Sequence, residues 1–267
     1  MPSRVERLPV RPAFGATSRP DRWWVQPAIT FVVFSGFIVY ATWAALQGAD
    51  YYSGSLLSPF YSPDLWGPSP HSLFGDAQPG WWPAALPYSP AILILWAPVS
   101  FRLTCYYYRG AYYKAFWADP PACSVGEPRK KYLGERHLPL IVQNIHRYTL
   151  PFALLLLVFL TMDVWYALQF GTGEAKEFGL SVGTLVLATN VILLGGYTMG
   201  CHSLRHIVGG GLDVLSRRPV RKKAYACVTW CNRSHMRFAW ASLLWVAFSD
   251  VYVRMCATGA ITDFRFF

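Results

Sequence analysis

Six residues with metal-binding side chains, Cys105, His146, Cys201, His202, His206 and His235, fall at or near the ends of long apolar segments of this 267-residue chain. Thiolate is a soft metal ligand and imidazole a borderline one, so their meeting at one level suits a redox centre. Polar side chains at a common depth inside a bilayer are costly, and they mark functional sites. The chemistry these residues point to is electron transfer. On a straight helix His202 and His206 share a face, whereas Cys201 is turned from His202 by about 100°. The three therefore cannot reach one atom together. A cofactor here takes one thiolate from Cys105, one from Cys201, and imidazoles from the segments that carry the histidines. Cys227 and Cys231, with three residues between them in a basic stretch, lack the spacing of a zinc knuckle, and Cys256 reads as a small buried hydrophobe.

The elements that must position these groups are membrane spans. Hydrophobic residues make up 54% of the chain and charged ones 14%, a balance too apolar for an ordinary soluble domain. Five apolar segments, 27–46, 88–108, 147–169, 181–207 and 235–257, approach the ~20 residues that cross the hydrocarbon core as helix. The expected fold is an all-α membrane protein, a five-transmembrane-helix bundle forming a single membrane domain over 1–267. Pro98 and Pro151 predict kinks in the second and third spans.

Charge sets the orientation. The 1–26 tail carries Arg4, Arg7, Arg11, Arg19 and Arg22, and the 47–87 loop carries no Lys or Arg. The 109–145 loop has Arg109, Lys114, Arg129, Lys130, Lys131 and Arg136, the 170–180 connection has only Lys176, and the 208–234 loop has Arg217, Arg218, Arg221, Lys222, Lys223 and Arg233. By the positive-inside rule the N-terminus and the two basic loops are cytoplasmic, while the 47–87 loop and the C-terminus are external. The expected location is the plasma membrane, with the ligand-rich end facing the cytoplasm. The net charge of +10 thus belongs to topology and not to nucleic-acid binding; the basic loops offer a surface to an acidic partner or anionic lipid. No cleavable signal peptide is evident at the start of the chain. The external loop, with Ser58-Pro-Phe-Tyr-Ser-Pro63 and Trp81-Trp82-Pro83, reads as a re-entrant or surface-lying cap with little chemistry of its own.

Two thiolates and two imidazoles match a Rieske-type [2Fe–2S] centre, in which two His replace two Cys on one iron. A single haem b with two axial His is the alternative; the external halves of spans one, two and five lack the His that a two-haem bundle needs. Zinc suits Cys₂His₂, but a structural zinc seldom lies in lipid. Beside these residues, Arg102, Tyr106, Tyr107, Tyr108, Tyr112, Tyr113 and Trp117 gather at the cytoplasmic end of span two, level with His146 and Arg147. A quinone needs donors to its carbonyl oxygens, an apolar slot and a proton supply, and Arg102, Tyr106, Trp117, His146 and Arg147 meet those needs. The plainer reading of the tyrosines is an interfacial aromatic belt. A proton-coupled transporter using Asp163 or Asp250 is the rival from another class, with neither paired acids nor an inverted repeat behind it.

The stretches Arg102-Leu-Thr-Cys-Tyr-Tyr-Tyr-Arg-Gly-Ala-Tyr-Tyr-Lys-Ala-Phe-Trp117, Pro120-Pro-Ala-Cys123, Asn144-Ile-His-Arg-Tyr148, Cys201-His-Ser-Leu-Arg-His206 and Asn232-Arg-Ser-His235 together resemble the membrane anchor of actinobacterial, mycobacterial-type succinate dehydrogenase. The resemblance covers roughly residues 50–257. It implies a five-helix anchor of respiratory complex II that docks a flavoprotein subunit and an iron–sulfur subunit on the cytoplasmic side and passes electrons to quinone. It also implies a haem-less branch with a membrane-embedded Rieske-type cluster. On that reading the preferred ligands are Cys105 and Cys201 on one iron and two of His206, His235 and His202 on the other, with His146 in reserve.

Overall fold

The computed structural model describes residues 13–76, 78–85, 87–118, 120–129, 137–138, 140–171 and 177–267. Arg4, Arg7, Arg11, Lys130, Lys131, Arg136 and Lys176, counted above among the orienting charges, lie outside the described residues. Helix α1 (Val25–Gln47) is apolar on every side and buries only Ala44 and Ala45, as a helix surrounded mostly by lipid does. It stops at Gly48, whose φ of +61° is left-handed and where a Cβ would stand 2.9 Å from the Tyr88 carbonyl oxygen; only glycine fits such a helix end comfortably.

The described residues of 49–89 then fold back as a cap. A short hairpin, β1 (Tyr52–Ser53) with β2 (Leu56–Leu57), leads into a 3₁₀ turn at Pro59–Tyr61. Tyr51 and Tyr61 stack with ring centroids 4.0 Å apart, inside a core that joins Leu57 and Phe60 to Ala44, Ala91 and Val246. The cap is thus packed into the end of the bundle. It does not lie on a lipid surface.

The second expected span is three helices, α2 (Pro90–Ile94), α3 (Trp96–Leu103) and α4 (Tyr106–Tyr112). Pro98 explains the first interruption, because its missing N–H and its ring both reject the Ile94 carbonyl one turn earlier. The second interruption, at Thr104 and Cys105, contains no proline. Helix α5 (His146–Ala167) continues through Pro151. The short pair β3 (Gln169–Phe170) and β4 (Glu177–Phe178) follows, and Ser181 caps helix α6 (Val182–Met199) by accepting from the Thr184 N–H at 3.1 Å. The fourth expected span also breaks, at Cys201, before α7 (His202–Gly209). The basic helix α8 (Pro219–Arg233) precedes the long α9 (His235–Ala257).

Among the described residues three helices are long and apolar enough to cross a membrane: Val25–Gln47, Ile141–Ala167 and Val182–Met199. Helix α9 matches α1 in length at 23 residues, with Asp250 and Arg254 buried on the stripe that also buries Ala239, Leu243, Val246 and Val253. The C-terminal residues return to the cap end, where Phe266 N–H bonds the Leu180 carbonyl and Val182 N–H bonds the Phe264 carbonyl. At the opposite, basic end, Gly15 N–H bonds the Gly126 carbonyl, Gly126 N–H bonds the Ala16 carbonyl, and Arg19 donates to the Cys123 carbonyl.

Helices α6 and α9 pack closely because of Gly196 and Gly200, one helical turn apart. A Cβ on Gly196 would lie 2.5 Å from the Phe238 ring, and one on Gly200 would lie 2.8 Å from His235 Nδ1. Small residues at this spacing let membrane helices approach backbone to backbone. The neighbouring Gly195 has room, its Cβ meeting only Leu157 at 3.8 Å. Gly196→Ala is therefore expected to destabilise the protein by about 1–3 kcal/mol through overpacking, while Gly195→Ala stabilises it slightly through helix propensity. Thermal unfolding of the two purified variants, read side by side, checks the opposite signs.

Candidate functional site

The interruptions at Cys105 and Cys201 are built alike. Both cysteines are extended, with φ/ψ of −67°/130° and −60°/134°, and each stands at the N-cap of the helix that follows. Each donates its N–H to the carbonyl three residues back, Cys105 to Arg102 at 3.1 Å and Cys201 to Thr198 at 3.2 Å. Each accepts from the N–H four residues on, Arg109 and Arg205, at 3.0 and 3.1 Å. The Gly200 carbonyl freed at the second joint takes a bond from Asn232 Nδ2 at 2.7 Å. Backbone groups inside a membrane must find such partners; at these joints they are found, and both thiols turn into the same buried cluster with Phe101, Tyr108, Leu150 and Tyr197.

Each thiol there meets an imidazole. His146 Nε2 lies 3.1 Å from Cys201 Sγ, and His235 Nε2 lies 3.9 Å from Cys105 Sγ. Cys105, Cys201 and His235 are each at most 2% exposed. The His146 tautomer follows from its other nitrogen: Thr104 Oγ1 gives its one hydrogen to the Ser100 carbonyl at 2.8 Å, so at 2.9 Å it accepts from His146 Nδ1–H. Nε2 is then the nitrogen with the free lone pair, aimed at Cys201, the arrangement by which an outer partner orients a ligating histidine. The His146 ring stacks on Phe101 at 4.5 Å and the His235 ring on Tyr197 at 5.0 Å. His235 Nδ1 is buried without a hydrogen-bond partner.

The donors form two Cys–His pairs. Among the described residues no three His, Cys, Asp or Glu side chains stand close enough to share one metal ion, which does not suit a mononuclear zinc with its four converging ligands. A Rieske-type binuclear cluster takes two thiolates on one iron and two imidazoles on the other, and this set, two thiols and two imidazoles with one orphaned ring nitrogen, has that composition. His202 and His206 are elsewhere: their Nε2 atoms are 3.0 Å apart and both rings are exposed on α7. The joint at Cys201 turns α7 away from the line of α6. Cys123 is exposed beside Arg19 at the basic end.

Of the residues expected around a quinone, Arg102 points inward, donating to Tyr108 Oη at 2.5 Å and to Ser242 Oγ at 2.9 Å and lying over the Tyr197 ring. Tyr106 is 68% exposed, Trp117 and Arg147 face outward as well, and His146 belongs to the thiol layer. On the cap side of that layer lies an apolar cavity of about 350 Å³, bounded by Phe101, Arg102 and Tyr197 at one end and by Ser62 at the other. The Tyr197 hydroxyl is buried without a partner.

The cap supplies polar side chains that a reading of it as inert misses. Asp250 on α9 accepts from Ser58 and from Tyr40 and pairs with Arg254 Nε at 2.8 Å. Asp163 on α5 accepts from Ser62 and meets His71 Nδ1 at 3.0 Å. In the cap itself, burial pushes the Asp64 carboxyl above the ordinary carboxylate range, against hydrogen bonds from Ser69 and Tyr51. The available signal was the coincidence of two intramembrane acids with Ser58, Ser62 and His71 in the loop facing them.

Residues 25–259 match the family described as actinobacterial succinate dehydrogenase subunit SdhC. Comparison with curated proteins finds no match. Among solved structures, the chain resembles one in the Mycobacterium smegmatis Sdh1 complex in the apo form, with 41% identity and a TM-score of 0.86 over 98% of this chain and 97% of that one.

Thr104 tests the geometry of the donor layer. Thr104→Val is expected to lower retention of a thiophilic metal by the purified protein about 10- to 100-fold, the usual effect of losing an outer-shell partner, and Thr104→Ser to restore it. Metal content by mass spectrometry after graded chelation reads both.

Proposed function

Because this chain belongs to the actinobacterial succinate dehydrogenase subunit SdhC family, we propose that it is the five-span anchor through which electrons from succinate reach a membrane quinone. Succinate oxidation belongs to a flavoprotein and an iron–sulfur partner, docked on the basic, cytoplasmic end in the plasma membrane. The exposed Arg217, Arg218, Lys222 and Lys223 on and before α8 suit that docking, whereas Arg221 is engaged in capping α7, donating to the Val208 and Gly210 carbonyls at 2.5 Å.

The observation that carries the proposal is the pair of Cys–His contacts at one depth. Cys105, Cys201, His146 and His235 would hold a Rieske-type [2Fe–2S] cluster, which supplies a one-electron carrier inside the membrane. Thr104 fixes the ligating nitrogen of His146, and the two extended joints hold the thiols rigidly toward the imidazoles. A haem on His146 and His235 is less favoured, because each of those imidazoles meets a thiol, a donor set that suits an iron–sulfur cluster. The apolar cavity beyond Phe101 and Tyr197 suits the quinone ring in size and lining. There the Tyr197 hydroxyl offers a donor and Arg102 a fixed cation.

The test is succinate oxidation by the whole complex with two acceptors. His146→Ala with His235→Ala is expected to lower quinone reduction by more than about 100-fold, since ligands matter more than the 10- to 100-fold of outer-shell partners, while a soluble acceptor is still reduced by the partner subunits. His202→Ala with His206→Ala should leave both rates unchanged. Normal quinone reduction in the first variant would refute the ligand assignment.

A further inference from the structure

Two buried acids face the cap, and they differ in how their charge is met. Asp250 is neutralised by Arg254 and held by Ser58 and Tyr40, which reads as a strut joining α9 to the cap. Asp163 has no Arg or Lys partner among the described residues; it bonds Ser62 and His71. The His71 and Asp163 side chains are only 5% and 9% exposed. An acid paired with an imidazole and a hydroxyl, each able to accept and release a proton, is arranged to pass protons along.

The three residues also join two cavities. Ser62 lines the apolar cavity that ends at Phe101, Arg102 and Tyr197. Asp163 and His71 line a second cavity of about 1000 Å³ at the cap end, whose wall includes Asp64, Tyr166 and Asp263. The charged and titratable groups facing His71 are therefore Asp163 and Tyr166 from α5, with Tyr166 edge-on to its ring at 5.0 Å, Asp64 from the cap and Asp263 from the C-terminal tail. The chain of contacts runs from one cavity to the other without a gap: Ser62, then Asp163, then His71.

We infer that quinone reduction by this anchor takes its two protons from the cap face, through His71, Asp163 and Ser62. This rests on the quinone-reducing function proposed above. The overall step balances as succinate giving fumarate, two electrons and two protons on the partner side, and quinone taking two electrons and two protons to give quinol. Each proton enters at the His71 imidazole, passes to the Asp163 carboxylate and leaves through the Ser62 hydroxyl, which hands its own hydrogen to the reduced quinone oxygen and is refilled from Asp163. All three groups end as they began. With the basic end cytoplasmic, protons are released inside and consumed outside, so turnover moves charge across the membrane and responds to its potential.

The whole complex in potassium-loaded liposomes tests this, with a pH dye trapped in the lumen, valinomycin to clamp the potential, a short-chain quinone as acceptor and succinate added outside only. Succinate then selects the molecules whose cap faces the lumen. The expected result is loss of two lumenal protons per quinol formed. Quinol formation with no lumenal change would overturn the route, and absence of quinol from the wild type would overturn the quinone reading and this route with it. Asp163→Asn is expected to slow quinone reduction about 100-fold or more, in the range of general acid–base groups, while the soluble-acceptor rate and the paramagnetic signal of the reduced complex persist. Full quinone rates in that variant would also overturn it, and should the variant fail to assemble, the wild-type lumenal measurement decides alone.

Discussion

A helix that stops midway among packed apolar helices must satisfy the backbone groups it frees, and this protein interrupts its helices in that way at Cys105 and at Cys201. The need is met alike at both joints, by a bond back to the third residue and a bond forward to the fourth, with a side chain, Thr104 at the first joint and Asn232 from α8 at the second, on a nearby carbonyl. Everything at the centre of the bundle depends on these joints. They turn two thiols inward, start two new helices, and require burial by α5 and α9, which bring His146 and His235. The glycines that let α9 approach α6 serve the same end, because a side chain at residue 200 would collide with the His235 ring.

From this layer the structure runs in two directions. Toward the basic end, α7 and α8 present cations and exposed apolar residues such as Trp230 and Val220, suited to a docked partner. Toward the cap, Phe101 and Tyr197 form a thin aromatic floor under an apolar cavity, and beyond that cavity lie the buried acids and the hydroxyls that satisfy them. Asp163 is met by Ser62 and His71 of the cap, and Asp250 by Arg254 on its own helix as well as by Ser58 of the cap; removing one partner of a buried pair such as Asp250 and Arg254 costs about 3–5 kcal/mol. The cap therefore holds the bundle together as well as covering it.

Much of this was legible in the sequence, for identifiable reasons. Hydropathy locates α1, α5, α6 and α9, and the level of Cys105, Cys201 and His235 follows from helical rise alone. The direction of side chains did not follow, because nothing at Thr104–Cys105 announces a break: neither proline nor glycine is there, and the interruption is held by tertiary contacts. A straight helix through Cys201 places His202 and His206 near the membrane level, whereas the joint turns them to the surface, and the imidazole that meets the Cys201 thiol is His146. Pro98 does break its span, at Leu95, where its ring meets the preceding turn. The aromatic content of residues 47–87 suggested an interfacial loop; its serines and His71 are buried because the acids they serve lie on helices distant in sequence.

The central claim, that two thiols and two imidazoles at the paired helix breaks hold one iron–sulfur centre, is tested most directly by pulsed electron paramagnetic resonance of the reduced complex grown with ¹⁵N-histidine. Two strongly coupled histidine nitrogens are expected, both lost when His146 and His235 are replaced and both retained when His202 and His206 are. A reduced complex without coupled histidine nitrogens, or one in which the coupling survives replacement of His146 and His235, would contradict it.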